Sequence, residues 1–106
     1  FYAKNSSATT YDANTANSVV TTGQWYNVIA TLNDGTMKIY LNGVDVTSAG
    51  DTFSGTMLPF NDYVYFGAGS SSSVSWIRGY MDEVGLWDKT LSGDEITELQ
   101  TGFYPY

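Results

Sequence analysis

Residues 25–43 read Trp25-Tyr26-Asn27-Val28-Ile29-Ala30-Thr31-Leu32-Asn33-Asp34-Gly35-Thr36-Met37-Lys38-Ile39-Tyr40-Leu41-Asn42-Gly43, and they decide the fold class. Trp25 to Leu32 is rich in aromatic and β-branched side chains, which suit a pleated, half-buried surface, and eight residues is an ordinary strand length. An Asp-Gly pair between two apolar runs then predicts a tight hairpin, because Gly accepts the positive φ that a primed two-residue turn demands. On the return, Met37, Ile39 and Leu41 alternate with Lys38 and Tyr40, so one face is predicted to be buried and the other wetter. Asn42-Gly43 repeats the turn signal, and Val44-Asp45-Val46 leaves it as a short third strand.

Upstream, residues 1–24 are polar and weakly patterned. Phe1-Tyr2-Ala3 reads as the end of a strand, Ser6 to Thr10 as a turn, Asn14 to Asn17 as a loop and Val19-Val20 as a short strand before Gly23. Downstream, residues 47–61 read as mixed loop, broken by Gly50, Gly55 and Pro59 and anchored by Phe53, Met57, Leu58 and Phe60. Tyr63-Val64-Tyr65-Phe66 predicts a strand ended by Gly67-Ala68-Gly69, and Ser70 to Ser73 an exposed loop. Trp76 to Trp87 reads as a long strand, with a bulge near Asp82 and Glu83 restoring its period and Gly79 and Gly85 allowing it to bend. The last element is helical. Ser92 and Glu95 have the spacing of a capping box, Ile96 and Leu99 share an inward face, and Gly102 stops the helix. Trp25 and Trp87 are assigned to the core, where most large rings of a small domain lie.

A chain of 106 residues is one domain or part of one. It has 4 basic and 11 acidic side chains, a net charge of −7, and this balance excludes a phosphate backbone as partner. With no Cys and no His, thiolate or imidazole metal sites and nucleophilic triads are excluded too. No apolar run approaches the roughly 20 residues that span a bilayer, so membrane insertion is not expected. Ser, Thr and Asn make up 31 residues, and a polar, uncharged, aromatic-rich surface suits the outside of a cell or a particle. The chain starts at Phe1 with no signal-peptide pattern, which reads as a piece of something longer. Asn5-Ser6-Ser7 is a glycosylation sequon, a three-residue pattern common enough to arise by chance.

Several segments together resemble one family. Trp25 to Thr31, Asp34-Gly35 and Lys38-Ile39-Tyr40-Leu41-Asn42-Gly43 are similar to the central hairpin of the concanavalin A-like lectin and laminin-G-like jelly rolls. Phe66-Gly67 fits the next strand. Gly79-Tyr80-Met81-Asp82-Glu83-Val84-Gly85-Leu86-Trp87 and Leu91-Ser92-Gly93-Asp94-Glu95-Ile96 resemble the C-terminal signature. The resemblance covers about residues 19–100 and implies an all-β fold: a partial antiparallel jelly-roll β-sandwich with one short C-terminal helix, over 1–106. Such domains begin with several strands before the Trp-containing one, and only 24 residues precede Trp25 here. A sheet with one apolar face must cover it. The cover is expected from the rest of the parent chain or from a neighbouring subunit.

The resemblance also sets the candidate sites. Relatives that cleave glucans place carboxylates at alternate positions on one strand, and retaining hydrolysis needs them about 5 Å apart. Glu83, Glu95 and Glu98 are the only Glu, Glu95 is assigned to the helix cap, and adjacent Asp82 and Glu83 fall on opposite strand faces. No catalytic pair results, and no enzyme activity is expected. Calcium wants six to eight oxygens. Asp82 is the weak candidate ligand, but the neighbouring loop offers Ser70 to Ser73, not acids, so Asp82 is read first as an acceptor for backbone amides. Asp12, Asp51 and Asp62 remain able to join a site through folding. No cofactor is expected, with calcium the alternative. Sugar binding needs a flat ring for the pyranose C–H face and polar groups for hydroxyls. Trp76, Tyr80, Tyr63 and Tyr65 flank the serine loop, with Arg78 as a donor fork. They are the candidate carbohydrate-binding residues, each weighed against ordinary packing. The Tyr-rich tail 103–106 is open to docking or linking.

The expected role is a non-catalytic recognition module, extracellular or displayed on a cell or virion surface, that binds a glycan or glycoprotein. The alternative is a building block of a virion, surface layer or extracellular fibre that uses the same fold for assembly.

Overall fold

The computed structural model describes residues 1–57, 66–67 and 76–102. The chain divides into two units, Phe1–Leu58 with Lys89–Tyr106, and Pro59–Asp88. In the first unit the elements are β1 (Tyr2–Lys4), β2 (Thr10–Thr15), β3 (Val28–Asn33), β4 (Thr36–Leu41), β5 (Val44–Asp45), β6 (Thr47–Gly50) and α1 (Gly93–Gln100).

The hairpin forms as its sequence dictates. Asp34 and Gly35 have φ of 45° and 79°, and Asn42 and Gly43 of 50° and 77°. Two consecutive positive φ values are the signature of the primed turn whose twist matches the flanking strands. The turns fix an antiparallel register: Val28 faces Leu41, which faces Val44, and Ala30 faces Ile39. Period two then separates the side chains. Leu32, Met37 and Ile39 lie on one face and join Ala3, Ala13, Phe53, Tyr11 and Val46 in a core between the sheets. Ile29 and Tyr40 lie on the other face and pack with Leu91, Ile96 and Leu99 from the C-terminal segment. Burying Met37, Ile39 and Phe53 contributes about 1.5–3 kcal/mol each before the entropy of ordering them.

The second sheet, β1-β2-β6, is antiparallel throughout. One strand joins the layers. After β5 the chain stays beside β4, where the Val46 amide donates to the Ile39 carbonyl (2.9 Å). It then crosses to β2, pairing Ala13 with Gly50, and returns at Thr52, which bridges Thr36.

Residues 14–15 and 47–50, read as loop, are strand. Both segments are polar, and the one deeply inward group of β2 is the methyl of Ala13, at 0% exposure, so no alternation was visible. Val19-Val20 forms no strand. The chain therefore supplies a second layer of its own, but a small one. It covers Met37 and Ile39, while Val28 and Val44, in the next cross-strand row, stay 62% and 63% exposed. The sandwich is partial, as expected.

Trp25 was expected in the core and is exposed, because β3 begins three residues later and the ring falls outside its alternation. Trp87 is exposed too. Its indole lies over its own Gly85, where an added Cβ would meet the ring at 2.5 Å.

In the second unit, residues 77–88 form no strand, against the expectation for 76–87, and Trp76 makes a single bridge. Glu83 sits at φ 50°, outside the extended region that a strand requires. Ile77, Tyr80 and Leu86 are all exposed, so no apolar face of this segment is buried among the described residues. Phe66 is an exposed bend, and Tyr63 to Tyr65 and Ser70 to Ser73 lie outside the described residues. No helix among the described residues is long and apolar enough to cross a membrane.

Candidate carbohydrate-binding site

The sequence nominated Trp76, Arg78 and Tyr80, and the structure places all three at the surface of the second unit. The segment that carries them closes over Gly67. The Ile77 amide donates to the Gly67 carbonyl (2.8 Å). A Cβ on Gly67 would lie 3.0 Å from Met81 Sδ and 3.8 Å from Ile77 Cβ, so both ends of 77–81 touch that glycine. Arg78 and Tyr80 project from the loop so formed, with Tyr80 89% exposed and Trp76 62%. Rings held open to solvent on a tethered loop have the character that pyranose stacking requires, and an adjacent guanidinium adds a donor fork for hydroxyls. Tyr63 and Tyr65 lie outside the described residues.

The carboxylates have local work. Asp82 Oδ1 accepts from the Glu83 amide (2.9 Å). Glu95 completes the capping box: its Oε2 accepts from the Ser92 amide (2.8 Å) and the Ser92 hydroxyl accepts from the Glu95 amide (3.3 Å). Lys89 pairs with its other oxygen, and hydrogen bonds from Lys89 and Ser92 hold the carboxyl down to about 2. Glu98 is exposed on α1. Folding does bring Asp12 and Asp51 together, where Asp51 Oδ2 accepts from the Asp12 amide (2.9 Å) and Asp12 Oδ2 from Asn14 Nδ2 (2.7 Å). The first of these bonds ties the chain just past β6 to β2. Among the described residues no three His, Cys, Asp or Glu gather to hold a metal ion.

Sequence reasoning missed a groove of about 290 Å³ in the first unit, lined by Thr36, Lys38, Thr47, Ser48, Asp51 and Thr52 among others. Its origin is a register gap. Between the Ile39–Val46 and Thr36–Thr52 contacts, three steps along β4 face six along its neighbour, and the surplus bulges toward β2. Two of its polar groups are already engaged: Lys38 Nζ pairs with Asp45 (2.9 Å), and Thr47 Oγ1 accepts from the Ile39 amide (2.8 Å). The groove offers hydroxyls and no aromatic ring. No local motif announces it, because it arises from where a strand changes sheets.

Residues 1–97 match Laminin_G_3, described as concanavalin A-like lectin/glucanases superfamily. The chain belongs to this family. Human pappalysin-1 is 30% identical over 82 residues, which is 74% of this chain and 5% of pappalysin-1. The crystal structure of an S-layer domain-containing protein (residues 221–444) from Clostridium thermocellum ATCC 27405 is 28% identical. It superposes with a TM-score of 0.59, over 80% of this chain and 43% of that one. The chain thus spans less than half of the S-layer structure and a small part of pappalysin-1. The fold by itself assigns no function.

Proposed function

We propose that this domain is a non-catalytic recognition module of an extracellular or surface protein, and that it binds carbohydrate through Trp76, Tyr80 and Arg78. The observation that carries the reading is the exposure of Tyr80, on the loop tethered at Gly67, and of Trp76 just before it. An unburied Tyr or Trp forfeits the burial that would otherwise stabilise the fold, and a ligand face is a function that retains such rings. Tyr63 and Tyr65 belong to the same proposal from their sequence position. Calcium at Asp82 is a weaker accessory, to be read from a melting shift on adding the ion. The test is a glycan array probed with the chain and with Trp76→Ala and Tyr80→Ala. The reading predicts one related set of glycans, lost in both variants while the melting temperature stays put. Binding retained by both variants contradicts it.

A second reading is assembly within a surface layer. Two observations favour it: the S-layer similarity, and the exposed row of Val28 and Val44 beside the half-buried Leu41. A uniformly blank array together with concentration-dependent polymerisation would select it.

A further inference from the structure

We infer that Asn5 is a folding-gated N-glycosylation site, at which an attached glycan and the closed β1–β2 turn exclude each other. Asn5-Ser6-Ser7 has the acceptor spacing. Ser6 and Ser7 are exposed, but Asn5 between the two strands is only 7% exposed. Its amide is fully used. Nδ2 donates to the Ser54 carbonyl (3.0 Å) and to Tyr11 Oη (3.3 Å), so both of its hydrogens are engaged. Oδ1 accepts from the amides of Ser7 (3.1 Å) and Thr9 (3.0 Å). The backbone of Asn5 also bridges Met57, and a Cβ on Gly55 would lie 3.4 Å from Nδ2.

In the modification, Nδ2 attacks the anomeric carbon of a lipid-pyrophosphate-linked oligosaccharide. The C–O bond to pyrophosphate breaks, the lipid pyrophosphate leaves, and Nδ2 gives up one proton. The product keeps a single N–H on Nδ2 and carries a pyranose where Ser54, Gly55 and Tyr11 close in the folded chain. The folded protein offers the nitrogen neither access nor room. The unfolded chain offers both, and the closing partner Ser54 is synthesised 49 positions later, so a window exists before closure. Each chain therefore goes one way: unmodified and closed, or glycosylated and open.

The test is secretion of the chain from eukaryotic cells behind a signal peptide, with intact-mass analysis before and after limited proteolysis. The expected result is that protease-resistant chains carry no glycan at Asn5 and glycosylated chains are digested. Ser7→Ala breaks the sequon but keeps the backbone amide that Asn5 uses, so it should abolish occupancy, leave the melting temperature unchanged and raise the folded yield. Ala13→Asp, which places a charge at a fully buried position, should raise occupancy several-fold by keeping the chain open. A protease-resistant chain with a glycan on Asn5 and unchanged melting would overturn the inference. So would an Ala13→Asp chain that stays unglycosylated.

Discussion

Gly35 and Gly43 sit in matching positions of the two primed turns, with φ of 79° and 77°, yet alanine should cost far more at the first. The left-handed conformation penalises an L residue by roughly 1–2 kcal/mol. Loss of glycine's freedom in the unfolded chain returns about 0.4–1 kcal/mol of that. At Gly43 the added methyl meets only the Gln100 side-chain amide, the mobile end of a residue at the close of α1, which can swing away. Gly43→Ala should therefore cost about 1 kcal/mol. At Gly35 the methyl would lie 2.7 Å from the Phe53 carbonyl oxygen, which is backbone. Phe53 cannot retreat freely: its amide donates to the Gly35 carbonyl at 2.7 Å and its ring is buried in the core against Tyr11. Disturbing that bond adds about 1–2 kcal/mol, for a total of about 2–3 kcal/mol. In a chain of about this length each kcal/mol moves the midpoint by roughly 4–8 °C. Thermal melts should therefore show a loss of about 5 °C for Gly43→Ala and about 15 °C for Gly35→Ala. Equal losses would refute the idea that the return of residues 52–53 to the hairpin holds the two layers together.

The remaining predictions concern the cap, the ion pair and the core. Ser92→Ala removes the hydroxyl that caps α1 and should cost about 1 kcal/mol in denaturant melts, with helical circular dichroism falling at the same time. Glu95 is lowered from an ordinary 4.5 to about 2, first by its bond from Lys89 and then by those from Ser92, and Asp45 from 3.8 to about 2, chiefly by Lys38. Carboxyls with depressed folded values stabilise the fold above their unfolded values and lose that support as pH falls. Stability should thus decline between about pH 4.5 and 2, and in Lys38→Met a carbon-detected titration should find Asp45 raised part of the way toward its ordinary value, because the hydrogen bonds from Thr47 remain. Met37→Ala, at a buried position between the layers, should cost about 2–5 kcal/mol by equilibrium unfolding.

What could be read in the sequence was what is local. The hairpin announced itself because Asp34-Gly35 and Asn42-Gly43 are short-range signals flanked by strict alternation, and the helix because Ser92 and Glu95 cap it from three residues apart. The strands at residues 10–15 and 47–50 were missed because long-range pairing holds them: Asp51 reaches the Asp12 amide and Gly50 faces Ala13, contacts that leave no periodic trace. The same limit applies to the groove beside β4, which a strand's departure creates. At the candidate sugar site the aromatic and basic residues were legible by type. Their presentation was not, because the residue types of the segment suit a strand and the positive φ at Glu83 has no Gly or Asn to signal it. Trp25 shows the complementary error, in which residue type suggested burial and position three residues ahead of β3 denied it.

The central claim is that a Gly-turned meander, in one fixed register, lies against a small polar sheet. The most direct test is a set of nuclear Overhauser contacts in the chain. Strong Hα–Hα contacts are expected for Ala30–Ile39 and Leu32–Met37, together with contacts from the Ala13 methyl to side chains of the 36–41 strand. A register displaced by one residue, such as Thr31 facing Ile39, or an Ala13 methyl with no neighbour from that strand, would contradict it.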